Sequence, residues 1–195
     1  MSVFAELNPP YSTIVADPPW HYDTTNPPNP MSGYGVTRPG FGLGYSTMTV
    51  EEIAALPVAD LAGDTRCFLW VTQRYLHDGP DVLRGWGFEP QTRVLVWCKP
   101  PMGTMSVTTE FVLVGKRGNP PRMPWHGTTW FQWPRKGLRR SHQGTAPSVG
   151  HSAKPEAFSD LVESWCPGPY LELFSRRQRL GWDSWGHGYE IGATA

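Results

Sequence analysis

The chain has 195 residues, no net charge at neutral pH and 39% hydrophobic residues, which predicts a single domain, residues 1–195, with a sizeable core. No apolar run approaches the roughly 18 residues of a membrane span, and the first residues lack a signal pattern, so we expect a cytoplasmic protein without a membrane partner. Cys67, Cys98 and Cys166 lack the paired spacing of a metal site. We therefore predict reduced, mostly buried thiols and no metal.

A short apolar stretch, residues 12–16, predicts the first buried strand, and it ends in Asp17-Pro18-Pro19-Trp20. Prolines cannot continue a central strand, so Asp17 should lie at the strand's carboxyl end, where open α/β sheets hold ligands. The Asp17 carboxylate and the Pro18 carbonyl are both acceptors, and together they can bind the two hydrogens of an exocyclic amine. Trp20 offers a flat face on which a base can stack. The alternative is an ordinary strand that ends in a proline-stiffened turn.

Residues 21–44 follow, rich in Pro, Gly, Asn and Tyr, and predict a long irregular loop. This loop is either a lid over the site or a disordered surface loop. Thr49 and Glu52 then form a capping-box pattern, which predicts a helix that continues to about Leu56 and is stopped by Pro57.

The remaining elements alternate between apolar strands and short helices. We predict further strands at 66–72, 93–97, 110–114 and 170–174, and helices at 81–86 and from Pro155 to about 165. Strands that alternate with helices predict an α/β fold, with a mostly parallel sheet covered by helices on both faces.

Positive charge is concentrated in one part of this neutral chain. Residues 111–155 contain no Asp or Glu, and within them 116–150 has no clear period, which predicts a basic, aromatic loop. Rings that stack on bases and cations that meet phosphates are typical of nucleic-acid binding. The alternative is a loop whose tryptophans pack on their own domain. The predicted nucleic-acid-binding residues are Trp125, Trp130, Arg135, Lys136, Arg139 and Arg140.

Seven different short sequence blocks follow one another along almost the whole chain. They are Asp17-Pro18-Pro19-Trp20, Tyr45-Ser46-Thr47-Met48, Phe68-Leu69-Trp70-Val71-Thr72, Glu110 with Leu113-Val114-Gly115, Ser152 with Lys154-Pro155, Glu172-Leu173-Phe174, and Gly181-Trp182-Asp183-Ser184-Trp185-Gly186. In this order they resemble the N(6)-adenine methyltransferases typified by the catalytic subunit of the eukaryotic messenger-RNA methyltransferase, a family with bacterial and phage members.

The resemblance implies a Rossmann-like fold with a permuted motif order and S-adenosylmethionine as the methyl donor. It implies that Asp17, Pro18, Pro19 and Trp20 hold the target amine, and that Tyr45 lies on a lid near the reaction centre. The donor-binding residues carried over from the family are Asp17 at the ammonium, Lys154 at the carboxylate, Arg176 near the ribose, Phe174 on the apolar side, and Glu172, Gln178 and His187.

One position departs from the family. Many relatives follow the last Trp-Gly with Asn and then Glu or Gln, whereas this chain has His187 and Gly188. A glycine has no side chain that could reach the donor ribose.

The implied function is transfer of a methyl group to the 6-amino group of adenine in DNA, and a duplex substrate would require the base to be flipped out. No residue separates DNA from RNA, and DNA is favoured because the chain is compact and resembles the short bacterial and phage members. The alternatives are the same reaction on RNA, methylation of the 4-amino group of cytosine, and a non-catalytic partner subunit that binds nucleic acid.

Overall fold

The computed structural model describes residues 3–21, 47–99, 108–124, 127–133, 154–175 and 178–186. The strands are Tyr11–Ala16 (β1), Ala62–Val71 (β2), Glu89–Cys98 (β3), Thr109–Arg117 (β4), Trp130–Phe131 (β5), Tyr170–Leu173 (β6) and Trp182–Trp185 (β7). The helices are Val50–Ala54 (α1), Gly79–Gly85 (α2) and Glu156–Trp165 (α3), and 3-10 turns occupy Val58–Leu61 and Gln73–Tyr75.

The strands of the described residues form one sheet in the order β5-β3-β4-β2-β1-β6-β7. The pairs β1–β2, β1–β6, β6–β7 and β3–β5 are parallel, whereas β4 runs antiparallel to both β2 and β3. The predicted α/β fold with a mostly parallel sheet is therefore confirmed. Two strands were not predicted: β5 lies inside the segment expected to be irregular, and β7 lies near the end of the chain.

The central strands are buried on both faces, as the helices on either side require. Side chains alternate along a strand, so Ile14 and Leu69 face the first side of the sheet while Val15 and Phe68 face the second. Helices α1 and α2 cover the first side through buried residues that include Ile53 and Trp86. Helix α3 covers the second side through Phe158 and Val162.

Helix ends follow their local sequence signals closely. The Glu52 N–H donates to Thr49 Oγ1 at 3.2 Å and the Thr49 N–H donates to Glu52 Oε2 at 2.8 Å, which confirms the predicted capping box. Helix α3 begins at Glu156, directly after Pro155. Lys154 therefore lies immediately before the helix that covers the second side of the sheet.

The cysteines are free thiols, and two of the three, Cys67 and Cys166, are buried, as predicted. Burial raises the pKa of both thiols, which keeps them protonated at neutral pH. Within the described ranges, no helix has the length and apolar character needed to cross a membrane.

Two strand glycines provide a matched test of packing between the sheet and α2. A Cβ on Gly115 would lie 2.9 Å from Phe88 Cβ, whereas a Cβ on Gly63 would meet nothing closer than Pro10 Cβ at 3.5 Å. Gly115→Ala should lower the free energy of unfolding by about 1–3 kcal/mol, because the added methyl overpacks the core. Gly63→Ala should change it by less than about 0.5 kcal/mol. Urea unfolding measures both, and equal effects would contradict this packing.

Candidate active site at the carboxyl end of the first strand

The carboxyl end of β1 lies where the order of the strands reverses. β1 pairs with β2 on one side and with β6 on the other. The Asp17 N–H donates to the Leu173 carbonyl at 3.4 Å, so β1 and β6 remain adjacent up to their ends. Open α/β sheets bind ligands in the crevice outside such a reversal. Asp17 therefore lies at the predicted position, directly after a buried central strand.

Backbone hydrogen bonds fix the turn that follows Asp17. The Trp20 N–H donates to the Pro18 carbonyl and the Met48 N–H donates to the Pro19 carbonyl, both at 2.8 Å. A carbonyl oxygen has two lone pairs, so Pro18 can still accept one further hydrogen bond. The two prolines remove backbone freedom from the same residues. Asp17 and the Pro18 carbonyl are thus rigidly held neighbours.

Trp20 is more deeply buried than a simple stacking platform requires. Its side chain is only 3% exposed, and its Nε1 donates to the Trp70 carbonyl at 3.0 Å. Tyr75 stacks on the indole, with ring centroids 4.9 Å apart, and the Tyr75 hydroxyl donates to the His21 carbonyl. Tyr75 covers one face of the indole, and the low exposure shows that the opposite face is not an open surface for a base either. Base stacking on Trp20 stays a prediction.

Four alternating charges meet beside this turn. Lys154 Nζ lies 2.8 Å from Asp17 Oδ1 and 3.2 Å from Glu110 Oε2, and Lys99 Nζ lies 2.6 Å from Glu110 Oε1. The side chains of Glu110 and both lysines are 10% exposed, and that of Asp17 is 18% exposed. We call these four residues the charge chain. The structure thus brings the predicted residues Asp17 and Lys154 together, and it adds Glu110 and Lys99.

The charge chain keeps Glu110 and Lys154 ionised despite their burial. Burial alone would raise the pKa of Glu110, but Lys154 and Lys99 together hold it below the ordinary value. Burial alone would lower the pKa of Lys154, but Asp17 and Glu110 together hold it above the ordinary value. Each lysine also lies over an indole, Lys154 over Trp70 and Lys99 over Trp97. Cation–π attraction adds to the ion pairs in holding the ammonium groups.

Sequence reasoning did not select Glu110 and Lys99 as site residues. Glu110 is the last acid before the acid-free span of residues 111–155, and it stands near the start of β4, directly before the uncharged stretch 111–115. A charge that a strand carries into a buried position must find an opposite charge. That rule could have marked Glu110 as a site residue, but its partners could not be named from the sequence.

The predicted donor residues on β6 lie on the other flank of Asp17. Phe174 is buried and has the unusual backbone angle φ +62°, and Glu172 accepts a hydrogen bond from the Ser175 hydroxyl at 3.2 Å. A Cβ on Gly186 would lie 2.5 Å from the Ser175 carbonyl oxygen, so only glycine fits there. The positive φ of Phe174, a non-glycine residue, is a strained backbone state of the kind that is typical of functional sites.

Arg179 anchors the segment after β6 to α3. Arg179 donates to both carboxylate oxygens of Glu163 at 2.9 Å and to Asp160 at 2.6 Å. Trp182 Nε1 donates to the same Glu163 at 2.6 Å. The predicted donor residue Gln178 directly precedes this arginine and is exposed.

Of the predicted nucleic-acid-binding residues, Trp130 lies on the edge strand β5 and is 55% exposed. Its neighbour Trp133 instead stacks on Phe131 and packs against Phe158 of α3, so part of this aromatic segment serves the core. Several predicted site residues lie outside the described residues: Tyr45, Trp125, Arg135, Lys136, Arg139, Arg140, Arg176 and His187.

Comparison with known proteins places this geometry in a family. The MT-A70 family model matches residues 11–188, which include the Asp17 turn, the charge chain and β6. The chain belongs to the MT-A70 family. Members are adenine N(6)-methyltransferases that use S-adenosylmethionine, so this protein is an enzyme of that class.

Individual relatives match most of the chain. Type II methyltransferase M.MunI of a Mycoplasma species is 32% identical over 190 residues, which cover 90% of this chain and 76% of that protein. The N(6)-adenosine-methyltransferase catalytic subunit METTL3 of Homo sapiens is 28% identical over 178 residues, covering 85% of this chain and 26% of that protein. A Drosophila melanogaster MT-A70-like protein is 28% identical over 182 residues. The chain spans about a quarter of the length of both eukaryotic proteins.

The charge chain fits the amino-acid end of the MT-A70 methyl donor. S-adenosylmethionine carries an ammonium and a carboxylate on one carbon, and its sulfonium supplies an activated methyl group. Asp17 and Lys154 offer opposite charges 2.8 Å apart. Asp17 could hold the ammonium and Lys154 the carboxylate, which is the pairing that the resemblance implies, and this assignment stays a prediction. Glu110 stays in contact with Lys154, so this lysine keeps a partner if Asp17 turns to the ammonium.

Two glutamates paired with lysines test the charge chain. Glu110→Gln should lower the free energy of unfolding at pH 7 by about 2–4 kcal/mol, because two buried ammonium groups lose a carboxylate partner. Folding lowers the pKa of Glu110, so its stabilising contribution is complete above the ordinary value of 4.5 and is lost as the pH falls through the folded-state pKa. Urea unfolding in acid should therefore show a steeper loss of stability below about pH 4.5 for the wild type than for the variant.

Glu89→Gln is the control, because Glu89 pairs with Lys116 at 3.0 Å with side chains 68% and 40% exposed. Such a surface pair should contribute less than about 1 kcal/mol. Equal destabilisation by the two substitutions would contradict a buried, coupled charge chain.

Proposed function

We propose that this MT-A70 protein transfers a methyl group from S-adenosylmethionine to the N(6) amine of adenine in DNA. The observation that supports the proposal most strongly is the rigid pair of acceptors, Asp17 and the Pro18 carbonyl, at the strand reversal. Lys154 lies beside them at 2.8 Å from Asp17 and offers the positive charge that the donor carboxylate needs.

Two acceptors are what this amine requires. The nitrogen lone pair of adenine is delocalised into the ring, so the free amine is a poor nucleophile. Hydrogen bonds from its two hydrogens to Asp17 and to the Pro18 carbonyl favour a more tetrahedral nitrogen, whose lone pair points out of the ring plane. Because the acceptors are held in place before the base arrives, they stabilise the transition state without reorganisation.

Asp17 also matters after the bond has formed. As the methyl–sulfur bond breaks and the methyl–nitrogen bond forms, the nitrogen gains the positive charge that the sulfur loses. It keeps this charge until its extra proton passes to water, and the Asp17 carboxylate faces the charge meanwhile. The ion pair with Lys154 compensates the negative charge of Asp17, which is mostly buried. Glu110 in turn balances Lys154. The site can therefore stabilise a transient cation without a strong base.

DNA is the substrate we propose. The similarity to M.MunI extends over 76% of that bacterial Type II methyltransferase, whereas the match to the N(6)-adenosine methyltransferases covers about a quarter of each. The exposed Trp130 on the sheet edge and the acid-free, basic residues 111–155 support contact with a polynucleotide. Flipping the adenine out of a duplex would cost a few kcal/mol.

Nucleoside mass spectrometry on DNA and RNA from expressing cells tests the proposal. Cells with the wild type should gain 6-methyladenine in DNA, and Asp17→Asn should reduce the initial rate of its formation by about 100-fold or more, because the negative charge and one of the two acceptor oxygens of the carboxylate are lost. The control Asp81→Asn alters an exposed carboxylate that pairs with Arg84 on α2, and it should leave the rate unchanged.

The possible outcomes separate the parts of the proposal. A gain of 6-methyladenine in RNA alone would contradict DNA as the substrate and keep the chemistry. No gain in either nucleic acid, or equal marks from wild type and Asp17→Asn, would contradict the proposed reaction.

A further inference from the structure

One buried hydroxyl near the charge chain has no assigned role. Thr72 Oγ1 is inaccessible to solvent and has no hydrogen-bond partner among the residues that the structure describes. Thr72 precedes the 3-10 turn Gln73–Tyr75, but its side chain does not cap that turn. A buried hydroxyl without a partner is unfavourable and calls for an explanation, such as a catalytic role or a bound group that completes its hydrogen bonding.

The sheet register places Thr72 beside Glu110. In the antiparallel pair of β2 and β4, Trp70 lies opposite Val112 and Val71 lies opposite Phe111, so the next step brings position 72 opposite Glu110. The contact of Gln73 Nε2 with Thr109 Oγ1 at 2.9 Å supports this continuation. Side chains alternate along an extended chain, so Thr72 faces the same side as Trp70. Lys154 lies over the Trp70 ring on that side.

The strand order separates Thr72 from the predicted donor residues Glu172 and Phe174, whereas Lys154, predicted to bind the donor carboxylate, lies on the same side as Thr72. Along the sheet, β4 and β2 lie on one flank of β1, and β6 lies on the other. Phe174 and Glu172 belong to the β6 flank; if the nucleoside part of the donor lies along them, a base approaches Asp17 from the β2 flank. The charged neighbours of Thr72 pair with one another in the charge chain. The hydroxyl is therefore available to a neutral polar ligand.

We propose that the Thr72 hydroxyl donates a hydrogen bond to a ring nitrogen that flanks the target amine, N1 or N7 of adenine. This inference rests on the proposed methylation of adenine. The amine of adenine has an acceptor nitrogen on each side, whereas the amine of cytosine has N3 on one side and a C–H group on the other. A hydroxyl donor on the β2 side of Asp17 and Pro18 could read that pattern, and a donor facing N7 would disfavour cytosine.

Substrate analogues and a near-isosteric substitution test the inference together. Wild type, Thr72→Val and Thr72→Ser are assayed on oligonucleotides whose target base is adenine, 7-deazaadenine or 1-deazaadenine. Thr72→Val should lower kcat/KM on adenine by about 10- to 100-fold, because a buried ring nitrogen loses its donor. On the analogue that lacks the contacted nitrogen, Thr72→Val should change kcat/KM by less than about twofold, since the two changes remove the same bond.

Thr72→Ser restores the hydroxyl and should keep most of the activity on adenine, and the KM for S-adenosylmethionine should stay constant in all three proteins. An equal effect of Thr72→Val on adenine and on both analogues would overturn the inference. A rise in donor KM alone would overturn it too, and would assign the hydroxyl to the donor. If Thr72→Val does not fold, the wild type decides: undiminished activity on both analogues overturns the proposal, and loss on one of them supports it. A wild type that is inactive on adenine refutes the proposed function instead.

Discussion

The site depends on mutual neutralisation among four mostly buried charges, those of Asp17, Lys154, Glu110 and Lys99. Withdrawing an ion from water costs several kcal/mol in a folded protein, so each of these groups is tolerable only while an opposite charge touches it. The same constraint suits the binding of a zwitterion. An ammonium and a carboxylate that enter beside Asp17 and Lys154 replace one side-chain pair with two new pairs, and Glu110 keeps Lys154 compensated during the exchange.

Topology brings these charges together from distant parts of the chain. Asp17 follows β1, Lys99 follows β3, Glu110 lies in β4 and Lys154 precedes α3. Parallel pairing of β1 with β2 and β6 sets Asp17 at the strand reversal, and β4 carries Glu110 towards the same edge. Trp20 closes the turn against Trp70 and Tyr75, so the acceptors for the amine rest on the packed core. Rigid strands thus support both flanks of the site.

The elements governed by local signals were predictable from sequence, and those that depend on long-range pairing were not. The capping box at Thr49 and the strand that ends directly before Asp17 follow from neighbouring residues alone. Strand β7 was missed because Trp182-Asp183-Ser184-Trp185 lacks an apolar run, and its pairing depends on β6. Trp20 was expected to offer an open face, but Tyr75, far along the chain, covers one side of it. The contact between Glu110 and Lys154 likewise requires the folded sheet.

The most direct test of the charge chain as a donor site is isothermal titration calorimetry with S-adenosylmethionine. The wild type should bind the donor at one site per chain. Lys154→Met keeps the aliphatic stem and removes the charge, so it should weaken binding by about 10-fold or more, the size expected for a lost charge-assisted contact. Comparable melting temperatures of the two proteins without ligand would confirm that both are folded. Unchanged affinity in Lys154→Met would contradict the account, because the donor carboxylate would then have another partner.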